Sequence, residues 1–175
     1  MGNQFNFLQD EDFSFIKRQK VFFIASSSKR EVNLSPKGYN CLRVINSKTL
    51  IFLDYPGSGN RTALDIIANG NITFLFTAFE GKPKILRLFC KGILIEKNDK
   101  QFPKYLSLFD EKESLVRRLI KFNILAVEYS CGMSVPIFEY KKDRIEQKRW
   151  LEQMVRQDKL REYIKSHKNR VDLDL

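Results

Sequence analysis

Short runs rich in Val, Ile, Leu and Phe, bounded by turn-forming residues, recur through most of the first 130 residues and read as strands. Strands are predicted at 20–26, 31–35, 42–45, 49–54, 71–79, 84–96 and 123–130, with Gly92 as a bulge in the longest. The 31–35 strand runs into Pro36-Lys37-Gly38, where Pro36 is expected to stop further ladder pairing. Turns are predicted at 26–30, at Asn46-Ser47-Lys48 and at Glu80-Gly81-Lys82-Pro83. Helical spacing is confined to four stretches. Residues 10–20 carry acids first and bases last, as the helix dipole prefers. Residues 62–69 open with Thr62 and Asp65 as a capping box and close at Gly70, expected in the left-handed conformation. Residues 101–121 read as two helical pieces divided near Asp110–Lys112. Residues 141–169 form the longest helical pattern, its apolar stripe interrupted between Val155 and Leu160. Many strands in meander order with few helices predict a mainly β protein, a small closed barrel of six or seven strands with flanking helices.

Composition narrows the class. The chain has 175 residues, 43% hydrophobic and 30% charged, so it can bury a core without staples. Its longest apolar runs fall well short of the ~20 residues that span a bilayer. Met1–Asp12 is polar and acidic where a secretory signal needs a charged start and an apolar run, so a cytoplasmic location with no membrane contact is expected. Cys41, Cys90 and Cys131 are odd in number and widely spaced, which predicts buried thiols and neither a disulfide framework nor a zinc site. The single histidine, His167, lies in a charged tail with no partner at metal-ligand spacing, which disfavours a histidine-dependent triad, and no metal site is expected. The net charge is +10, of which residues 141–170 carry +6. That basic stretch reads either as a solvated helix face or as a surface for nucleic acid or an acidic partner.

Three segments carry candidate chemistry. Gly57-Ser58-Gly59-Asn60-Arg61-Thr62 combines a backbone that lets a ligand approach, short hydrogen-bonding side chains at Ser58, Asn60 and Thr62, and the guanidinium of Arg61. A capped turn gives the same pattern, and the Gly-Lys-[Ser/Thr] ending of a P-loop is absent. In Asn33-Leu34-Ser35-Pro36-Lys37-Gly38, alternation places Asn33 and Ser35 on one side with Lys37 at the strand's end. Two cations flanking a central hairpin suit one doubly charged group such as a phosphate. Arg87 stands mid-strand among apolar neighbours, where it needs a carboxylate, a subunit partner or a ligand.

Four ordered motifs carry a family resemblance: Val-Asn-Leu-Ser-Pro-Lys-Gly at 32–38, Leu-Asp-Tyr-Pro-Gly-Ser-Gly-Asn-Arg-Thr at 53–62, Ala-Phe-Glu-Gly-Lys-Pro-Lys-Ile-Leu-Arg-Leu at 78–88 and Ser-Cys-Gly-Met-Ser-Val-Pro at 130–136. Across residues 10–150 the chain resembles the pyridoxamine 5′-phosphate oxidase-like family of flavin-binding split barrels, in a mostly uncharacterised branch with the Ser-Pro-Lys-Gly and Gly-Ser-Gly-Asn motifs. The resemblance implies a split β-barrel of the FMN-binding type over residues 10–140, with 141–175 as a basic C-terminal helix and tail of the same domain. It implies a homodimer with FMN at the subunit interface. Lys37 and Arg61 then match phosphate-binding positions, Arg87 a polar position directed at the flavin ring, and Ser35, Leu53 and Asp54 residues lining that ring through backbone or side-chain groups. Thr62 stands where the oxidases carry lysine, which removes one phosphate-facing charge. No counterpart of the oxidases' C-terminal substrate residues is evident, so vitamin B6 oxidase activity does not transfer.

The expected function is therefore that of an FMN-dependent oxidoreductase with its substrate and catalytic residues unassigned. Deazaflavin is a less favoured cofactor, and haem is disfavoured by the lone histidine in the tail. The alternative is a non-enzymatic split-barrel binding module whose basic C-terminal helix contacts nucleic acid or an acidic partner.

Overall fold

The computed structural model describes residues 4–28 and 31–168. Its centre is one antiparallel sheet built from β2 (Phe22–Ser27), β3 (Asn33–Lys37), β4 (Leu42–Asn46), β5 (Thr49–Asp54), β6 (Asn71–Thr77), β7 (Ile85–Ile95) and β8 (Arg118–Ser130). The two-residue strand β1 (Gln4–Phe5) pairs with β8. Strand order is β3-β2-β6-β7-β8-β5-β4. Only β6, β7 and β8 form the expected meander. The β4–β5 hairpin pairs β5 with β8 and so departs from simple succession.

Two observations show that this sheet curls on itself. Its edge strands, β3 and β4, are consecutive in the chain and joined by residues 38–41. Phe22 on β2 and Phe52 on β5 do not neighbour each other along the sheet, yet their rings meet edge to face at 6.3 Å. Among the described residues no ladder joins β3 to β4, and this is the split in the barrel. Alternation fills the interior: Phe22, Ile24, Phe74, Phe76, Leu86, Leu88 and Phe122 are all buried. Phe74 meets Phe122 edge to face at 4.8 Å, a geometry favoured by the ring quadrupoles.

The flanking helices are α1 (Asp10–Arg18), α2 (Arg61–Ile67), α3 (Phe102–Leu106), α4 (Glu146–Arg156) and α5 (Leu160–Ser166). Helix α1 carries its acids in the first turn and its bases in the last, as its sequence predicts. Its fully buried Asp12 accepts from Tyr129 at 2.6 Å and pairs with Lys84 at 2.9 Å, pinning the helix to the barrel. Helices α4 and α5 form a satellite core of Leu151 and Leu160 with Leu115, and Trp150 meets Tyr163 edge to face at 4.8 Å. No helix among the described residues is long and apolar enough to cross a membrane.

Several local expectations are corrected. The stretch 101–121 holds only short α3 and a 3₁₀ turn at Glu113–Leu115, because β8 begins at Arg118 and runs 13 residues. The long C-terminal helix is broken at Gln157–Lys159, where Asp158 adopts φ 53°; this is the gap in its apolar stripe. Pro36 does not end its ladder, since Pro36 and Lys37 pair with Phe23 and Phe22. β3 is an edge strand, so the missing N–H need not break pairing. Asn69, at φ 55°, takes the left-handed position expected of Gly70. Gly70 is needed for closeness instead, because a Cβ there would lie 2.6 Å from the Ser27 carbonyl oxygen. The register shift in β7 falls at Phe89/Cys90, not at Gly92. Gly92 admits Ile66 of α2, whose Cδ1 would lie 2.6 Å from a Cβ there. The expected turn at 26–30 lies partly outside the described residues, as do residue 169 and the tail beyond it.

Candidate functional site

At the split, β3, β5 and the 55–60 loop enclose a cavity of about 310 Å³. The period-two alternation of β3 presents Asn33, Ser35 and Lys37 to it, and that of β5 presents Phe52 and Asp54. Ile24 and Ile120 complete an apolar wall with Phe52. The opposite wall is polar, from Gly57 through Thr62. Of the nine residues singled out from sequence, seven line this one cavity: Ser35, Lys37, Asp54, Ser58, Asn60, Arg61 and Thr62.

Leu53 and Arg87 do not line this cavity. Leu53 has the wrong parity on β5: its side chain is buried in the core and its amide donates to the Cys41 carbonyl. Arg87 sits opposite Glu128 on β8 and bonds it at 3.1 Å and Ser130 at 2.7 Å. Its charge is met by a cross-strand acid, one of the three partners its mid-strand position calls for.

A hydrogen-bonded chain fixes the cavity's polar residues. Asn33 Nδ2 donates to Ser26 Oγ at 3.1 Å and to Thr62 Oγ1 at 3.2 Å, while Ser35 Oγ reaches Asn33 Oδ1 at 3.4 Å. Buried Asp65 anchors the chain by accepting from Ser26 and Ser28, each at 2.6 Å. Asp65 is thereby engaged with β2 and does not form the expected capping box with Thr62; Asn60 is the residue preceding α2.

The loop owes its shape to Arg117, which sequence reading missed. This buried guanidinium donates to the Gly59 carbonyl at 2.8 Å and to the Gly57 carbonyl, and the Arg117 amide donates to the Asp54 carbonyl. Burial pushes its pKa down, with Asp54 the chief opposing charge. The signal was the pair Arg117-Arg118 inside an apolar run, hidden by the helical reading of that stretch. Helices α4 and α5 brace the loop from outside. Gln147 reaches the Pro56 carbonyl at 3.2 Å and lines the cavity, and Asn60 Nδ2 reaches the Lys168 carbonyl at 2.9 Å. Tyr55 donates to Glu111 at 2.5 Å, and Lys148 of α4 pairs with the same carboxylate at 2.7 Å. Burial alone would raise the Glu111 pKa; the bonds from Lys148 and Tyr55 outweigh it and hold the carboxyl below its ordinary range.

The cavity's charges are unevenly met. Arg61 lies 3.6 Å from Glu31. Asp54 has Arg118 at 3.7 Å, and burial raises its pKa against the pull of Arg117, Arg118 and Lys37. Lys37 has no carboxylate within ion-pair reach among the described residues and stands 6.0 Å from the centre of the Phe52 ring. A cation without an acid, hydroxyl and amide donors, and a facing apolar wall suit a ligand with an anionic end and a flat apolar end. A larger hollow of about 920 Å³ adjoins this one, shares Lys37 and Gln147 with it, and lies beneath the exposed segment 138–144. Cys41 and Cys90 are buried, the former with its thiol pushed up to about 12 by burial, and Cys131 is exposed, contrary to expectation. No group of three or more metal-ligating side chains occurs among the described residues.

No family model matches the chain. The pyridoxamine 5′-phosphate oxidase family protein ustO of Aspergillus flavus is 35% identical over 142 residues, 78% of this chain and 57% of that relative. The chain thus spans little more than half the relative's length. Among solved structures, a candidate pyridoxamine 5′-phosphate oxidase from Lactobacillus delbrueckii matches with a TM-score of 0.56 at 17% identity, over 70% of this chain and 94% of that one. An FMN-binding protein from Syntrophomonas wolfei matches with a TM-score of 0.50 at 16% identity, over 73% and 85%. The first of these likenesses is in sequence and the other two in backbone course, and together they agree with the four motifs: the chain belongs to the pyridoxamine 5′-phosphate oxidase-like family of split barrels.

Proposed function

We propose that the cavity at the split binds FMN, that the flavin lies at the interface of a homodimer, and that the protein is a flavin-dependent oxidoreductase. The observation that carries this reading is the gathering of Lys37, Arg61, Ser58, Asn60 and Thr62 around one cavity whose other wall is Ile24, Phe52 and Ile120. Lys37 and Arg61 take the phosphate, as a flexible point charge and a planar fork respectively. Ser58, Asn60 and Thr62 supply neutral hydrogen bonds around it. The Thr62 hydroxyl is already oriented by Asn33, in place of the charge that lysine brings in the oxidases. Phe52, Ile24 and Ile120 give the ring an apolar wall, with Ser35 and Asp54 as its polar neighbours. When bound, the flavin supplies hydride or electron transfer itself. The protein orients it and keeps water from its apolar face.

Size supports the dimer. About 310 Å³ stands at the lower limit for a drug-sized ligand, roughly 300 Å³, so one chain encloses part of a flavin nucleotide and a second surface covers the rest. Val32 and Leu34 on the β3 side and Met133, Ile137 and Phe138 after β8 expose large apolar side chains, the kind of surface a second copy buries. Residues 141–175 are read as an appendage of the same domain, and the bracing of the loop by Gln147 and Lys148 supports that. The FMN-binding protein of similar fold supports a flavin in this cavity.

The test is a visible absorption spectrum of the freshly purified protein, with the released chromophore identified by mass. A flavin spectrum and the mass of FMN are expected. A colourless protein that also fails to bind added FMN overturns the reading.

A further inference from the structure

On the Arg117 side of the loop lies a second, smaller hollow of about 230 Å³. Among the described residues, Asn60 alone lines both this hollow and the cavity at the split. Its other walls are Arg117 and Arg118 at the start of β8, His167 and Lys168 just after α5, Glu96 after β7, and Ile164.

The charges here do not balance. Glu96 is the one acid in the wall, and it is engaged with Arg118 Nη1 at 3.3 Å. Arg118 also has Asp54, 3.7 Å from its Nε. Arg117 has no carboxylate within 4 Å among the described residues, although it is only 5% exposed. Its two terminal nitrogens bond the Gly57 and Gly59 carbonyls and the Asn60 side chain, and its Nε has no hydrogen-bond partner. The Nε of Arg118 likewise lacks a hydrogen-bond partner. Lys168 is exposed and unpaired among the described residues. The His167 ring uses Nδ1 toward the Tyr163 carbonyl at 2.9 Å and toward Ser166 Oγ at 3.0 Å, and its Nε2 has no hydrogen-bond partner among the described residues. A buried guanidinium whose hydrogen bonds all go to neutral groups, with Asp54 and Glu96 acting only from beyond ion-pair reach, is expensive to hold, and a counter-ion beside it offsets that cost.

We propose that this hollow is a binding site for a small oxyanion of the phosphate or sulfate class, held by Arg117, Arg118 and Lys168. The size of the hollow selects against a nucleotide, since it is smaller than the roughly 300 Å³ at which drug-sized sites begin. Guanidinium groups select a planar or tetrahedral oxyanion over a halide, because their fixed forks match paired oxygens. The anion would interact with the same guanidinium that holds the Gly57 and Gly59 carbonyls, so its binding also stiffens the loop. The site needs no flavin and stands apart from the function proposed above.

The test is calorimetric titration of the full chain with inorganic phosphate, at constant ionic strength set with chloride. Lys37→Ala removes the phosphate-facing cation of the other cavity and should retain one saturable phosphate site. Adding Arg118→Gln to Lys37→Ala should weaken that site roughly tenfold or more, the scale of a lost charged hydrogen bond. Lys168→Ala, at an exposed position, should weaken it several-fold in a folded protein and decides the matter if Arg118→Gln does not fold. Phosphate binding that vanishes in Lys37→Ala, or that ignores both Lys168→Ala and Arg118→Gln, overturns the proposal. An effect of Lys168→Ala with none of Lys37→Ala upholds this site and counts against the flavin phosphate at Lys37.

Discussion

Replacing Lys37 with alanine isolates one contact of the proposed flavin site. Lys37 ends β3 with its ammonium in the cavity and no carboxylate in ion-pair reach among the described residues, so its removal leaves no orphaned acid behind. Arg61 offers no such clean deletion, because Glu31 stands 3.6 Å from it. A hydrogen bond to a charged group contributes about 1.5–3 kcal/mol. At about 1.4 kcal/mol per decade, the FMN dissociation constant should rise roughly 10- to 150-fold. Fold stability should change by no more than about 0.5 kcal/mol, as for other surface substitutions. The assay is quenching of flavin fluorescence on titration with protein, run in parallel with riboflavin, which lacks the phosphate. Wild type should prefer FMN, and Lys37→Ala should lose most of that preference while binding riboflavin as before. An FMN affinity unchanged by the substitution, or an equal loss for both flavins, would refute the assignment of Lys37 to the phosphate.

Other consequences can be measured on the same protein. Arg117→Met removes the donors to the Gly57 and Gly59 carbonyls and should cost about 2–3 kcal/mol in urea denaturation; an unchanged midpoint would mean the loop does not depend on it. Gly92→Ala should cost about 1–3 kcal/mol by forcing a methyl to within 2.6 Å of Ile66 Cδ1, and Ile66→Val in the same chain should recover part of it. Glu111 has its pKa depressed in the fold, so its stabilising contribution is complete above its ordinary value of 4.5 and is lost as pH falls through the lower folded value. Denaturation midpoints from neutral to acid pH should therefore drop more steeply below that value in wild type than in Glu111→Gln; parallel profiles would remove Glu111 from the brace between α4 and the barrel.

Sequence alone made much of the barrel legible because its strands are short β-branched and aromatic runs bounded by turn residues. β2 and β6 read directly from their aromatic and β-branched residues, and the Asn46-Ser47-Lys48 turn located the β4–β5 hairpin. The order of strands was less legible. Alternation reveals which face of a strand is buried but not its neighbour, so the pairing of β5 with β8 could not be read locally. The first residues of β8 were obscured by Glu113–Arg118, whose mixed charged and apolar residues also fit a helix. That misreading hid Arg117, whose value comes entirely from the loop carbonyls it meets 58 and 60 residues earlier in the chain. The site was legible where charge and turn chemistry coincide, at Lys37 and at Ser58–Thr62. The sequence did not reveal that the Leu53 side chain is buried in the core, one residue of parity away from the cavity, nor that Arg87 meets Glu128, 41 residues away.

A crystal structure of the protein saturated with FMN would test the central claim most directly. The account requires the flavin phosphate within about 3 Å of both the Lys37 ammonium and the Arg61 guanidinium, with the ring against Phe52 and covered by a second chain. A flavin bound elsewhere on the barrel, or a phosphate that touches neither cation, would contradict it.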